Sequence, residues 1–576
     1  MGTDTATDAL PCPADGHPDL DRLLDELRAG AERLAGTSVA DRASLIRAVH
    51  EHTGRAAESW TRAAVAMKHL DPASAAVGEE WITGPYALLT ATDRLARTLD
   101  ELAAGRSPIA GARFHAAPGG RRAVEVMPLT WSESLLLHGF SAEVWFPPGV
   151  TDEQAVAAAG LGARRTGEQQ GVGLVLGAGN ITSIPPLDVL SELVAGGRAV
   201  ILKLNPVMAG LLGPLSDALA PLIRFGVLRI VQGGAEVGAF LAHHPSVTHV
   251  HITGSAGTHD AVVFGTGPEA ERRKAAGAPL LTKPITSELG GVSPVIVVPG
   301  RWTDSELAFQ AEHVATQRLH NGGYDCIAAQ VVLISRDWAQ KDAFLRHLRQ
   351  ALDEVPARSA WYPGSTDRSA AALALHPEAE RLGPDGDRLL LAANDAPDVT
   401  RTEYFAPVLG VIELPGTGGA FLDEAVRTAN DELAGTLGAN VIIRPDTRRA
   451  LGSRFGRAIE ALRYGTIGIN AWTGVGFLLA AVPWGAYPGN PITDVGSGRG
   501  IVHNALLLEG SERTVVRGPF RPFPASALAG EWTLSPRPPW FVTARTASTT
   551  GRRMTRFAAK PSIARLPGIL LAAFRG

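Results

Sequence analysis

Cys326 lies in the turn Gly322-Gly323-Tyr324-Asp325-Cys326-Ile327, and the chain's other cysteine, Cys12, stands in a polar N-terminal lead. A single thiol in a glycine-rich turn can meet a ligand where a core helix would hide it. Cys326 is therefore a candidate nucleophile, the plain alternative being a small buried hydrophobe. Upstream, Glu288 is followed directly by Leu289-Gly290-Gly291. Paired glycines there point to close backbone approach to a ligand rather than to a solvated surface acid. Where a thiol and a carboxylate share a site, the sulfur can attack a carbonyl while the carboxylate takes up the thiol proton and activates a water. His243-His244 and His249-x-His251 are the residues with metal-ligand spacing, but no Cys, Asp or Glu joins them in sequence, so no metal is expected.

Elements of alternating type must position these groups. Val172 to Leu176, Ala199 to Leu204, Leu228 to Val231 and Val247 to Ile252 read as strands. Helices are expected over 187–195, 211–225 and 235–243 between them. Such alternation with short connections implies parallel strands in a doubly wound sheet, which binds ligands at the carboxyl ends of its strands. Asn180 follows the first strand in Gly177-Ala178-Gly179-Asn180, where turn chemistry alone would explain it. Lys203 ends the second, and Thr253-Gly254-Ser255 follows the fourth and opens a helix. A second alternating block runs from Val295 to Ile469, and it contains Glu403-Tyr404-Phe405-Ala406-Pro407. Before the first sheet, residues 20–104 read as helical and 124–145 as extended. Residues 360–400 read as loop.

Composition narrows the classes. The 576 residues suffice for two or three domains, and a formal net charge of −4 creates no field for nucleic acid. Two cysteines make no disulfide framework, which points to a reducing cytoplasm. The first 19 residues read as a disordered lead without signal-peptide character, and no stretch is apolar enough to span a bilayer. From Trp532 to Gly576 there are eight Arg or Lys and no acid, and the chain ends on Ile569-Leu570-Leu571-Ala572-Ala573-Phe574. This basic tail fits an anionic membrane surface, a neighbouring subunit or disorder. Pro561 and Pro567 interrupt any long helix in it.

Taken together, the segments around Asn180, Lys203, Gly254, Glu288, Cys326 and Glu403 resemble the aldehyde dehydrogenase superfamily. So do Gly465-Thr466-Ile467-Gly468-Ile469-Asn470, Pro483-Trp484-Gly485 and Gly496-Ser497-Gly498-Arg499, all in the family's order over residues 170–505. The resemblance implies an α/β fold with a doubly wound cofactor-binding domain, a second α/β catalytic domain and a small oligomerisation flap. The expected boundaries are 1–19 for the lead, 20–285 for the cofactor domain with 121–167 in the flap, 286–475 for the catalytic domain, 476–520 for a return segment and 521–576 for a basic extension. It implies oxidation of an aldehyde to a carboxylic acid with NAD or NADP, in a cytoplasmic homo-oligomer. Cys326 is then the nucleophile, Glu288 the base, and the Asn180 amide with the Cys326 N–H the oxyanion hole. Lys203 meets the adenine ribose, Gly254 and Ser255 the pyrophosphate, Glu403 the nicotinamide ribose, and Phe405 packs by the nicotinamide. Trp472, Phe477 and Trp484 fit an apolar substrate funnel or ordinary core packing.

Departures from the family pattern shape the expectations. Tyr324-Asp325 replaces the usual Gln-x before the cysteine, and an adjacent carboxylate opposes thiolate formation. Pro206 stands where NAD-preferring members often carry a Glu, which leaves NADP open. Two rivals follow. One is an acyl-CoA or acyl-thioester reductase forming an aldehyde, against which Glu288 argues. The other is a catalytically silent scaffold working through its basic tail.

Overall fold

Two largely parallel sheets face one another end to end in the computed structural model, which describes residues 17–165, 167, 170–531, 533 and 537–576. The first has six strands in the order Gly498–Arg499, Ile285–Leu289, Val247–Gly254, Val172–Leu176, Ala199–Lys203, Leu228–Val231. All neighbours are parallel except the short Gly498–Arg499 strand. From Val172–Leu176 the chain winds outward through Ala199–Lys203 and Leu228–Val231. It then returns to the other side as Val247–Gly254. The strand order thus reverses between Val172–Leu176 and Val247–Gly254, the point where doubly wound sheets open a crevice.

The second sheet has eleven strands. Its parallel core is Arg513–Arg517, Thr466–Ile469, Gly438–Ile442, Ser293–Val297, Ala329–Ser335, Val408–Leu414 and Arg388–Ala392. Antiparallel strands Phe114–Ala117, Arg121–Met127 and Ser141–Phe146 extend it through Arg513–Arg517. The segment expected in an oligomerisation flap is therefore joined to the chain's own second sheet. Val172–Leu176 and Ala329–Ser335 are buried along their whole length, as strands covered on both faces must be.

Several local expectations are corrected. The expected lead ends early, because a helix begins at Pro18; residues 1–16 with Cys12 lie outside the described residues. Trp131–Leu136, expected as extended, is a short helix fixed by a capping box between Thr130 and Glu133. The single helix expected over 211–225 is broken into Leu212–Ala218 and Ala220–Phe225, with Pro221 starting the second. The stretch read as loop contains helix Ser365–Leu375 and strands Glu380–Leu382 and Arg388–Ala392. Its alternation was masked by the charged and glycine-rich residues between these short elements. The tail is folded. Helix Ala547–Ala559 packs on Val77–Tyr86 and Val39–Met67, and Leu566–Phe574 follows with Pro567 in its first turn.

Candidate active site

The carboxyl ends of the first sheet meet the amino ends of the second. Lys203, the Gly177–Asn180 turn, Gly254 and Glu288 come from four adjacent parallel strands, at or just past their ends. Facing them, Gly290-Gly291 precedes Ser293–Val297, Cys326 precedes Ala329–Ser335, and Glu403 to Phe405 precede Val408–Leu414. The sequence-predicted residues thus lie along one seam.

Cys326 is half-buried, and its thiol donates to Glu288 Oε1 at 3.3 Å. The Trp484 indole donates to the same oxygen at 3.1 Å, so Glu288 is held from two sides while only 3% exposed. Burial pushes Glu288 up to about 7, against the pull of both donors. Burial also drives the Cys326 thiol well above its ordinary range, and Glu288, Asp325 and Glu403 add to this. At neutral pH the thiol keeps its proton, and Glu288 is the adjacent group able to take it. Asp325 opposes the thiolate as expected, but after burial and Glu288. Its carboxylate accepts from Asn321 Nδ2 at 3.1 Å and pairs with His320 Nδ1 at 2.9 Å.

Asn180 is buried beside the Cys326 turn and donates from Nδ2 to the Tyr324 carbonyl at 2.9 Å. One amide hydrogen thus ties it two residues from Cys326. Glu403 carries a buried Oε1 with no hydrogen-bond partner, and burial, then Glu288, raise its acid to about 8. A Cβ at Gly290 would fall 2.0 Å from that same oxygen, so only glycine admits the carboxyl group here. Phe405 adopts a positive φ of 47° and meets Tyr362 edge-on at 4.8 Å. Ser255 caps helix Ala256–Phe264, accepting from the Thr258 N–H at 3.1 Å, and both Gly254 and Ser255 are exposed. Lys203 is half-buried, and burial lowers its pKa. Phe477 lies edge-on to Trp484 at 5.5 Å and packs on Ile181 and Ile184 beside Asn180, while Trp472 tilts against His320 at 4.8 Å.

The support behind the cysteine turn escaped sequence reasoning. Lys68, fully buried, donates to Glu80 Oε1 at 2.8 Å and to Asn321 Oδ1 at 2.9 Å. Asn321, at φ 54°, passes its own amide on to the carbonyls of Asn180 and Tyr324 and takes Glu79 on its backbone N–H. Burial would raise Glu79, but Arg358, His320 and Lys68 outweigh it and hold the acid below its ordinary value. Arg318 closes the turn from the other side. Its guanidinium donates to Gly323 O at 2.6 Å and to the carbonyls of Ala329 and Val408, and burial brings its pKa down to about 10. Helix Val77–Trp81, which supplies Glu79 and Glu80, is itself braced by the tail. A Cβ at Gly78 would strike the Ala547 backbone at 2.4 Å, and Thr555 Oγ1 donates to Trp81 O at 3.3 Å. In sequence, the surviving signal was a lone Lys and two acids in a helical pattern, which solvated faces also show.

The histidines read as loop and strand residues do find carboxylates. His249 pairs with Glu192 at 3.0 Å and His251 with Asp188 at 3.5 Å. Among the described residues no group of three or more His, Cys, Asp or Glu is arranged to hold a metal ion.

Residues 182–371 match the model of the aldehyde dehydrogenase family, a span that includes Lys203, Gly254, Ser255, Glu288 and Cys326. Solved structures extend the likeness. Aldehyde dehydrogenase C from Pseudomonas syringae, determined with NAD+ and octanal, is 20% identical over 87% of this chain and 88% of its own, at a TM-score of 0.56. An aldehyde dehydrogenase from Mycobacterium tuberculosis, complexed with NAD+, is 18% identical over 87% and 89%, at 0.58. The gamma-glutamyl-gamma-aminobutyraldehyde dehydrogenase of Burkholderia cenocepacia is 19% identical over 87% and 88%, at 0.55. At such identities the structures speak for the fold, and the family match speaks for the sequence of its central third. The chain thus has the aldehyde dehydrogenase fold, and its residues 182–371 are similar in sequence to that family.

Proposed function

We propose that the protein oxidises an aldehyde to a carboxylic acid with NAD or NADP. The observation that carries this reading is the Cys326 thiol donating to a buried Glu288 at the seam of the two sheets. Glu288 takes the thiol proton as sulfur adds to the aldehyde carbon, and the carbonyl oxygen becomes an oxyanion. The Asn180 amide and the Cys326 N–H are the donors for that oxyanion. After oxidation a thioester joins the acyl group to Cys326. Glu288, having passed the first proton to solvent, then takes one from water, which attacks the thioester; the acid leaves, and that proton returns to the Cys326 thiolate.

The residues fit the proposed cofactor. The unpartnered Glu403 oxygen and the exposed helix start at Ser255 suit ribose hydroxyls and a pyrophosphate, with Lys203 at the adenine end. When bound, the nicotinamide supplies the hydride acceptor. Phe405 would pack beside its ring; Pro206 itself brings no carboxylate to a 2′-phosphate, although Glu236 lies near enough to Lys203 to act on its charge. Phe477, Trp484 and Trp472 form the apolar wall on the aldehyde side. Two of the similar structures above were solved with NAD+, one of them also with octanal, which supports this assignment.

The reading includes cytoplasmic residence and a homo-oligomer. A free thiol supports the first, and the edge strand Phe114–Ala117, paired on one side only, supports the second. Light scattering checks the assembly. Absorbance at 340 nm, with short, long and aromatic aldehydes and either cofactor, tests the activity. Turnover that disappears in Cys326→Ala supports the reading. Consumption of reduced cofactor with an acyl-CoA, and none with any aldehyde, would replace it by the reductase.

A further inference from the structure

Among the described residues nine large apolar side chains are exposed, and six of them are Leu129, Trp131, Leu528, Ile563, Leu571 and Phe574. These six come from segments that pack on one another. Leu135 and Leu136 of helix Trp131–Leu136 lie against Met554, Phe557, Leu566 and Ile569 of the tail. Phe523 meets Phe574 edge-on at 5.2 Å, which brings helix Ala525–Leu528 to the end of the chain. Trp131 is 59% exposed and Ile563 74%, although water is a poor solvent for both. Exposed apolar side chains gathered in this way mark a contact surface rather than scattered surface residues.

Charge selects the partner. Arg552 and Arg556 are matched by Glu58, and Arg537 by Glu312. Arg545, Arg553, Lys560, Arg565 and Arg575 are exposed, and none has a carboxylate in ion-pair range among the described residues. Cations standing around apolar side chains match phosphate headgroups over acyl chains. No described helix is long and apolar enough to cross a membrane, and Leu566–Phe574 is a short element with room only to lie at an interface.

We propose that this face docks on an anionic lipid bilayer, with the apolar side chains entering the headgroup boundary and the cations without a carboxylate partner meeting lipid phosphates. The inference stands apart from the reaction, because none of these residues touches the seam around Cys326. Flotation of the full chain with vesicles tests it, comparing phosphatidylcholine alone with an equimolar mixture of phosphatidylcholine and phosphatidylglycerol. The expected result is binding at least tenfold tighter to the anionic vesicles, released by high salt. The double variant Trp131→Ser, Phe574→Ser should lose about tenfold or more, while turnover of a water-soluble aldehyde stays unchanged. Equal or absent binding to both vesicle types overturns the proposal. So does light scattering that shows a dimer of the native chain turned into a monomer by the same variant, which would assign the face to a second copy.

Discussion

The ligand edge and the Cys326 turn are built in opposite ways. At the ligand edge, Lys203, Gly254 and Ser255 stand at strand ends, exposed or half-buried, each set by its own strand and turn. At the other, Cys326 is set by Lys68, Glu79, Glu80, Arg318 and Arg358, most of them remote in sequence and nearly all buried. The first can be altered locally. The second behaves as one unit, since removing one member strands a buried charge.

The contrast can be broken from the turn outward. Cys326→Ser should abolish aldehyde oxidation at 340 nm while leaving cofactor binding, followed by fluorescence, in place. Glu288→Gln should lower kcat by about 10²–10⁴-fold, the scale of a general base. It should also remove a rising limb of the pH–rate profile near pH 7, where the buried acid loses its proton. The stability sign follows from the same shift. The folded acid titrates near 7 rather than 4.5, so its favourable contribution is complete below pH 4.5 and is lost as pH rises through 7. Glu288→Gln should therefore gain on the native protein between pH 5 and 8, by on the order of 3 kcal/mol in urea unfolding.

Lys68→Met leaves Glu80 buried without its cation, and should cost about 3–5 kcal/mol. It should also slow alkylation of Cys326 by iodoacetamide, and Lys68→Met with Glu80→Leu should recover much of the stability. At the ligand edge the effects shrink. Ser255→Ala loses a helix cap and should cost about 1 kcal/mol in thermal unfolding. Lys203→Ala should raise the cofactor KM by about fivefold or less, as expected for a single partly solvated charge. A large loss at Lys203 with a small one at Lys68 would invert the contrast.

The same division explains what the sequence disclosed. The doubly wound sheet was legible because its strands are buried apolar runs separated by short turns, as in Val172–Leu176 and Ala199–Lys203. Glu288, Cys326 and Glu403 were legible because glycines or aromatics flank them in short motifs. Lys68, Glu80 and Arg318 were not, because a charge on a helical pattern looks solvated until tertiary packing buries it. Nor was the tail's brace on Gly78, which depends on two helices far apart in the chain. Trp131–Leu136 was misread because its capping box, local but short, was outweighed by a run of leucines.

Glu288→Gln offers the most direct test of the central claim that Cys326 carries the acyl group and Glu288 releases it. The variant would be mixed with an aldehyde and NAD or NADP, digested, and analysed by mass spectrometry. Loss of the base slows both addition and release, so the account predicts slow accumulation of a Cys326 peptide heavier by the acyl group, absent without cofactor and much reduced in the native protein. An unmodified Cys326 peptide, with oxidised product still forming, would contradict it.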